Sequence, residues 1–149
     1  MIGMPKSEWG PGPWQDEPDR HEWRYRGLPC IARRNMGYGT WCGYVGVPPG
    51  HPWFGKGDVD ADAHGGITYA GSCDDNPEVC HVPLPGEPDN VWWLGFDCGH
   101  GGIDVFPAMK ALGITSVMSG QLGPETYKTL EYVQRQCEQL ADQVLDAGT

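Results

Sequence analysis

Residues 91–97 read Val-Trp-Trp-Leu-Gly-Phe-Asp, a continuous apolar run of strand length that predicts a buried strand. Two further runs, 28–33 and 41–47, are separated by Asn35-Met36-Gly37-Tyr38-Gly39, and this spacing predicts a hairpin that sets Cys30 opposite Cys42. Asp58, Asp60, Asp62 and His64 recur at period two, which on a strand places all four on one face. Near the C-terminus the period changes. Tyr127, Leu130, Val133, Cys137, Leu140 and Val144 repeat at three and four residues, the stripe of an amphipathic helix. Pro124 suits its first position and Gly148 stands just past its end, which predicts a helix over 124–147. Residues 1–26 carry Trp9, Trp14 and Trp23 among prolines, the composition of an arm packed on the domain surface. The expected architecture is α+β: a twisted, mainly antiparallel sheet with one long C-terminal helix packed on it. It forms a single domain over 1–149, with the sheet and its site loops in 27–106.

Composition agrees with a turn-rich sheet, since 23 glycines and 14 prolines accompany only 20% charged residues. Seven tryptophans and 39% hydrophobic residues argue against disorder. A formal net charge of −10 excludes a nucleic-acid polymer as the natural partner, because neutralising phosphates takes clustered Lys and Arg. The first residues lack the apolar segment of a signal peptide and no apolar run reaches membrane-spanning length, so the expected setting is the cytoplasm, away from membranes. There the six cysteines are expected mostly as reduced thiols, without a structural disulfide network. Nothing in the sequence fixes an oligomeric state.

Several phrases occur together: Gly12-Pro13-Trp14 with Glu17-Pro18-Asp19, Leu28-Pro29-Cys30, Gly43-Tyr44-Val45-Gly46-Val47-Pro48 with Gly50-His51-Pro52, His64-Gly65-Gly66-Ile67-Thr68-Tyr69, and Trp92-Trp93-Leu94-Gly95-Phe96-Asp97-Cys98-Gly99-His100. In these the chain resembles a family of small proteins carried by bacteriophages, prophages and bacteria. The resemblance covers most of the chain and implies membership without implying an activity. The family's usual wording after Cys98 is Ala-His-Ala-Gly-Asp, whereas Asp104 here follows one residue later.

The candidate chemistry gathers where the buried run ends. Asp97, Cys98, His100 and Asp104 lie among glycines, which lets a rigid strand present them at its tip. Residues 57–106 hold ten carboxylates (Asp58, Asp60, Asp62, Asp74, Asp75, Glu78, Glu87, Asp89, Asp97, Asp104) and no Lys or Arg. Such a region stays solvated or recruits a cation, and one divalent metal on Asp62, His64, Asp97, Cys98 and His100 is one expectation, no cofactor the other. A second route needs no metal. His64 and His100 flank one substrate as general base and acid, since histidine exchanges protons near neutrality. Cys98 as a nucleophile activated by a histidine ranks third.

The catalytic candidates are therefore His64, Asp97 and His100, with Asp62, Cys98 and Asp104 as a second tier. Thr68, Tyr69, Arg33 and Trp53 are the ligand-binding candidates, offering hydrogen bonds, a cation and stacking surfaces. The expected function is hydrolysis of a phosphorylated or nucleotide-like small molecule, as in a phage counter-defence enzyme. The alternatives are a module that sequesters a nucleotide signal and an acidic module that binds a host protein.

Overall fold

The computed structural model describes residues 5–73, 79–81, 83, 85–86, 90–99, 104–108 and 126–148. Five strands form one sheet: β1 (Arg20–Tyr25), β2 (Leu28–Arg34), β3 (Trp41–Val47), β4 (Tyr69–Ser72) and β5 (Trp92–Asp97). Their order is β1-β2-β3-β5-β4 and every neighbouring pair is antiparallel. Among the described residues one long helix, α1 (Leu130–Ala147), packs on one face. This is the expected α+β architecture.

Alternation assigns the faces. Leu28, Cys30 and Ala32 of β2, Trp41, Val45 and Val47 of β3, and Leu94 and Phe96 of β5 form the face toward α1. The helix answers with Val133, Cys137, Leu140, Ala141 and Val144, all at zero exposure. Gly43 sets how closely it approaches, because a Cβ there would stand 2.7 Å from Cys137 Sγ and 2.5 Å from Phe96 Cζ. On the opposite, far face, Ile31, Tyr44, Val91 and Trp93 make a second cluster with Val79.

Four sequence expectations change. The arm ends at Asp19, and residues 20–25 are an edge strand. Its Arg-His-Glu-Trp-Arg-Tyr pattern carries charge because an edge strand stays wet on one side. Arg26 and Gly27, both at positive φ (51° and 87°), make the tight turn into β2. Secondly, Cys30 faces Val45 and Cys42 faces Arg33, so the two cysteines are not cross-strand partners; the Asn35–Gly39 connection sets a different register. Thirdly, Cys73 and Cys80 form a disulfide, while Cys30, Cys42, Cys98 and Cys137 are thiols. Fourthly, α1 starts at Leu130. Thr129 Oγ1 accepts from the Tyr132 amide at 3.2 Å, an N-cap that fixes the start there. Tyr127 lies before the cap, and Pro124 lies outside the described residues.

The N-terminal segment is held by a buried arginine. Arg34 bonds Asp19 at 2.8 Å, Glu17 at 3.0 Å, the Gly39 carbonyl at 2.8 Å and the Tyr127 hydroxyl at 2.8 Å, with its guanidinium 4.4 Å from the Trp41 ring. Glu17 also accepts from the Leu130 amide at 2.7 Å and from the Tyr127 hydroxyl. Trp9 and Trp14 are buried beside Tyr127 and Ala108. Among the described residues no helix is long and apolar enough to cross a membrane.

Candidate functional site

Residues 58–63 carry the chain along the start of the site without forming a strand. Gln143 of α1 clasps the Asp62 backbone, accepting from its N–H at 2.7 Å and donating to its carbonyl at 2.8 Å. The alternation survives this. Val59, Ala61 and Ala63 turn inward onto the core beside α1, and Asp58, Asp60 and Asp62 are exposed. Exposed carboxylates keep their hydration, so the period-two acids need no cation. The strip ends in a turn closed by Gly66 N–H donating to Ala63 C=O at 2.8 Å, with Gly65 and Gly66 at φ 70° and 89°.

That turn delivers the His64 imidazole to a buried carboxylate. His64 Nε2 lies 3.0 and 2.9 Å from the two oxygens of Asp104, whose side chain has no exposure. Nδ1 of the same ring lies 2.7 Å from the Tyr132 hydroxyl. Because a carboxylate only accepts, Nε2 is assigned the proton that faces Asp104, which turns Nδ1 toward the Tyr132 hydroxyl as its acceptor. Tyr132 stands in the first turn of α1. Lys128, one residue before the cap, places Nζ 3.2 Å from Asp104 Oδ1 and 5.7 Å from the centre of the Tyr132 ring. Asp104 is itself held by pairing with Thr126, whose carbonyl accepts from Val105 N–H at 2.9 Å. A buried carboxylate between a lysine and a hydrogen-bonded histidine has its charge compensated.

The electrostatics separate the roles. Burial, then the charges near Cys98 and Asp104, push the Tyr132 hydroxyl above the ordinary phenol range, so it stays protonated. Burial, followed by Asp104, pushes the Cys98 thiol far up as well, which removes thiolate chemistry.

The remaining candidates fall elsewhere. Asp97 is adjacent to Cys98, so its side chain belongs to the opposite face of β5, across from Cys42. It accepts from Gly99 N–H at 3.0 Å and from Thr68 Oγ1 at 3.2 Å. Tyr69 packs edge-on against Tyr44 at 5.4 Å, and Arg33 Nη1 comes within 3.5 Å of the Tyr44 hydroxyl. Arg33, Thr68, Tyr69 and Asp97 are thus grouped on the far face, apart from the His64 centre. Trp53 packs on the α1 side beside His51. His100 lies outside the described residues. Among the described residues, no three His, Cys, Asp or Glu side chains are arranged to hold a metal ion.

Sequence reasoning missed Tyr132 and Lys128. Tyr132 falls outside the apolar stripe, and Lys128 reads as part of a solvated face. The available signal was Thr129: as an N-cap it puts Lys128 at the helix mouth and Tyr132 in the first turn, both beside a sheet end.

Comparison with protein-family models, with curated proteins and with solved structures finds no match to this chain.

Proposed function

We propose that this chain is a small hydrolase that works by proton transfer through Asp104, His64 and Tyr132, acting on a phosphorylated or nucleotide-like small molecule. The observation that carries the reading is one imidazole bridging a buried carboxylate and a half-buried phenol, the order of groups in a nucleophile–histidine–carboxylate relay with tyrosine at its end. A tyrosine kept protonated serves as a general acid. His64 takes the Tyr132 proton on Nδ1 while Asp104 stabilises the imidazolium so formed, the phenolate draws a proton from the water that attacks the substrate, and the imidazolium then returns its proton through Tyr132 to the departing oxygen. Lys128 holds positive charge beside the phenol, which favours an anionic substrate group there. The chain's net negative charge suits a small ligand better than a nucleic-acid polymer.

The grouping of Arg33, Tyr69 and Thr68 favours the sequestering reading as the alternative, because it offers a cation and a half-buried aromatic ring on another face.

The test is a panel of linear and cyclic nucleotides and simple phosphate esters, read by mass spectrometry and by thermal shift. Turnover is expected with at least one phosphorylated compound. Tyr132→Phe, which removes only the hydroxyl, is expected to reduce it by about a hundredfold or more while leaving the melting temperature within a few degrees. A stoichiometric shift without turnover would replace hydrolysis by sequestration. Turnover that survives both Tyr132→Phe and His64→Gln would remove the relay from the mechanism.

A further inference from the structure

The start of α1 is held from two sides. Thr126 pairs with Asp104, and Lys128 sets Nζ 3.2 Å from its carboxylate. Tyr127, between them, goes to the N-terminal segment instead. Its hydroxyl meets Arg34 and Glu17, and its ring lies edge-on to Trp14 at 5.0 Å.

The hydrogen-bond roles fix the direction of that contact. An arginine only donates, so the Tyr127 oxygen accepts from Arg34 and its proton points to Glu17. Burial, then this bond to Glu17, pushes the Tyr127 hydroxyl above the usual phenol range, so it stays the donor. Glu17 uses both of its oxygens. Oε1 accepts from Tyr127, from Arg34 at 3.0 Å and from the Trp41 indole at 3.3 Å, and Oε2 accepts from the Leu130 amide at 2.7 Å. One carboxylate thereby grips the chain at Tyr127 and Leu130, on both sides of Lys128 and Thr129. Its charge suits the positive end of the helix and is compensated by a guanidinium with no exposure.

This grip bears on the His64 centre. Glu17 caps the Leu130 amide and Thr129 caps the Tyr132 amide, so the two together orient the first turn, which carries the phenol. That phenol reaches His64 Nδ1 at 2.7 Å. Hydrogen bonds weaken steeply beyond their short range, so a displacement of about 1 Å at the helix start uncouples phenol from imidazole. We propose that Glu17 is a positioning residue for the His64 centre: by gripping Tyr127 and Leu130 it sets the Tyr132 hydroxyl on the imidazole and Lys128 on Asp104. It acts through these residues and not on the substrate. Its effect on turnover rests on the proposed hydrolysis, whereas its effect on the imidazole does not.

The experiment compares the full chain with Glu17→Gln, Tyr127→Phe and Asp19→Asn by nitrogen NMR of the histidine rings at neutral pH. His64→Gln assigns the His64 signals, and Tyr132→Phe shows Nδ1 without the phenol. Asp19 is the control. It bonds Arg34 at 2.8 Å and Lys6 at 2.9 Å, so its loss loosens the N-terminal segment without releasing the helix start. The Nδ1 signal is expected to move in Glu17→Gln and Tyr127→Phe by most of the change that Tyr132→Phe produces, and to stay in place in Asp19→Asn. An unmoved signal in Glu17→Gln would overturn the proposal; where that variant does not fold, Tyr127→Phe decides in the same way. Equal movement in Asp19→Asn would also overturn it, because a loosened segment would then suffice. Turnover is the second readout. With a substrate from the nucleotide panel, Glu17→Gln is expected to lower kcat by about tenfold or more with KM little changed, and an unchanged kcat would count as refutation. No turnover from the unaltered chain would sink the hydrolase reading, and the NMR comparison alone would then decide the role of Glu17.

Discussion

Asp104 is the residue on which the site's charges converge. It has no exposure and lies between His64 and Lys128, 40 positions from the first and immediately beside the start of α1. Asp104→Ala is expected to cost about 3 kcal/mol, because it leaves a partly buried lysine and a hydrogen-bonded histidine without their buried counter-charge. Urea denaturation checks this, and a loss under 1 kcal/mol would mean that the pair is solvent-screened. Buried Cys30 gives a pH signature of its own. Its folded-state value of about 12 lies above the ordinary 9.0, so the folded chain keeps a proton that the unfolded chain releases. Stability from this group is complete below pH 9 and falls as pH rises toward 12. Urea midpoints across that range are expected to decline, and Cys30→Ala to flatten part of the decline. At this scale the sequence was informative about residue type and weak about company. His64 and Asp104 were both legible as chemistry beside glycines. Their contact was not, since no local pattern reports a pairing across forty residues.

Elements were legible in proportion to how much of their burial is periodic. β2, β3 and β5 bury long runs, and α1 buries a stripe, so each announces itself. β1 does not, because half of its positions are charged and its outer edge is not paired to another described strand. The strip at 58–63 shows the reverse. It has the alternation of a strand, yet its backbone is satisfied by the Gln143 side chain and not by a neighbouring strand. The helix start was misjudged because Pro124 and Tyr127 fit a longer stripe, whereas the Thr129 hydroxyl decides the boundary. Thr129→Ala should therefore cost about 1 kcal/mol by chemical denaturation. Lost positioning of Tyr132 should show as a turnover defect larger than the change in stability explains. At the other end of the packing, Gly43→Ala forces a methyl into Cys137 and Phe96 and should cost about 1–3 kcal/mol. A neutral result would show that α1 can slide away from the sheet.

For the whole molecule, one sheet carries two unlike surfaces. The α1 side holds the core and the His64–Asp104 contact, and the far side holds the smaller aromatic cluster with Val79 packed on it, near the Cys73–Cys80 bond. Reduction is expected to lower global stability by roughly 2–3 kcal/mol, the loop-closure contribution for so short a span, without unfolding the domain. Glu17 has a different consequence. It joins residues near the first strand to the Leu130 amide, 113 positions later. During synthesis on the ribosome, β1 to β5 leave the exit tunnel before Leu130–Ala147 does. The N-terminal segment cannot lock until α1 emerges, because Tyr127 and Leu130, which both bond Glu17, belong to that late segment. The segment from Trp9 to Glu17 is thus made before the sheet yet fixed after it, and a nascent chain stalled before residue 126 presents Trp9 and Trp14 to whatever chaperone or protease meets it.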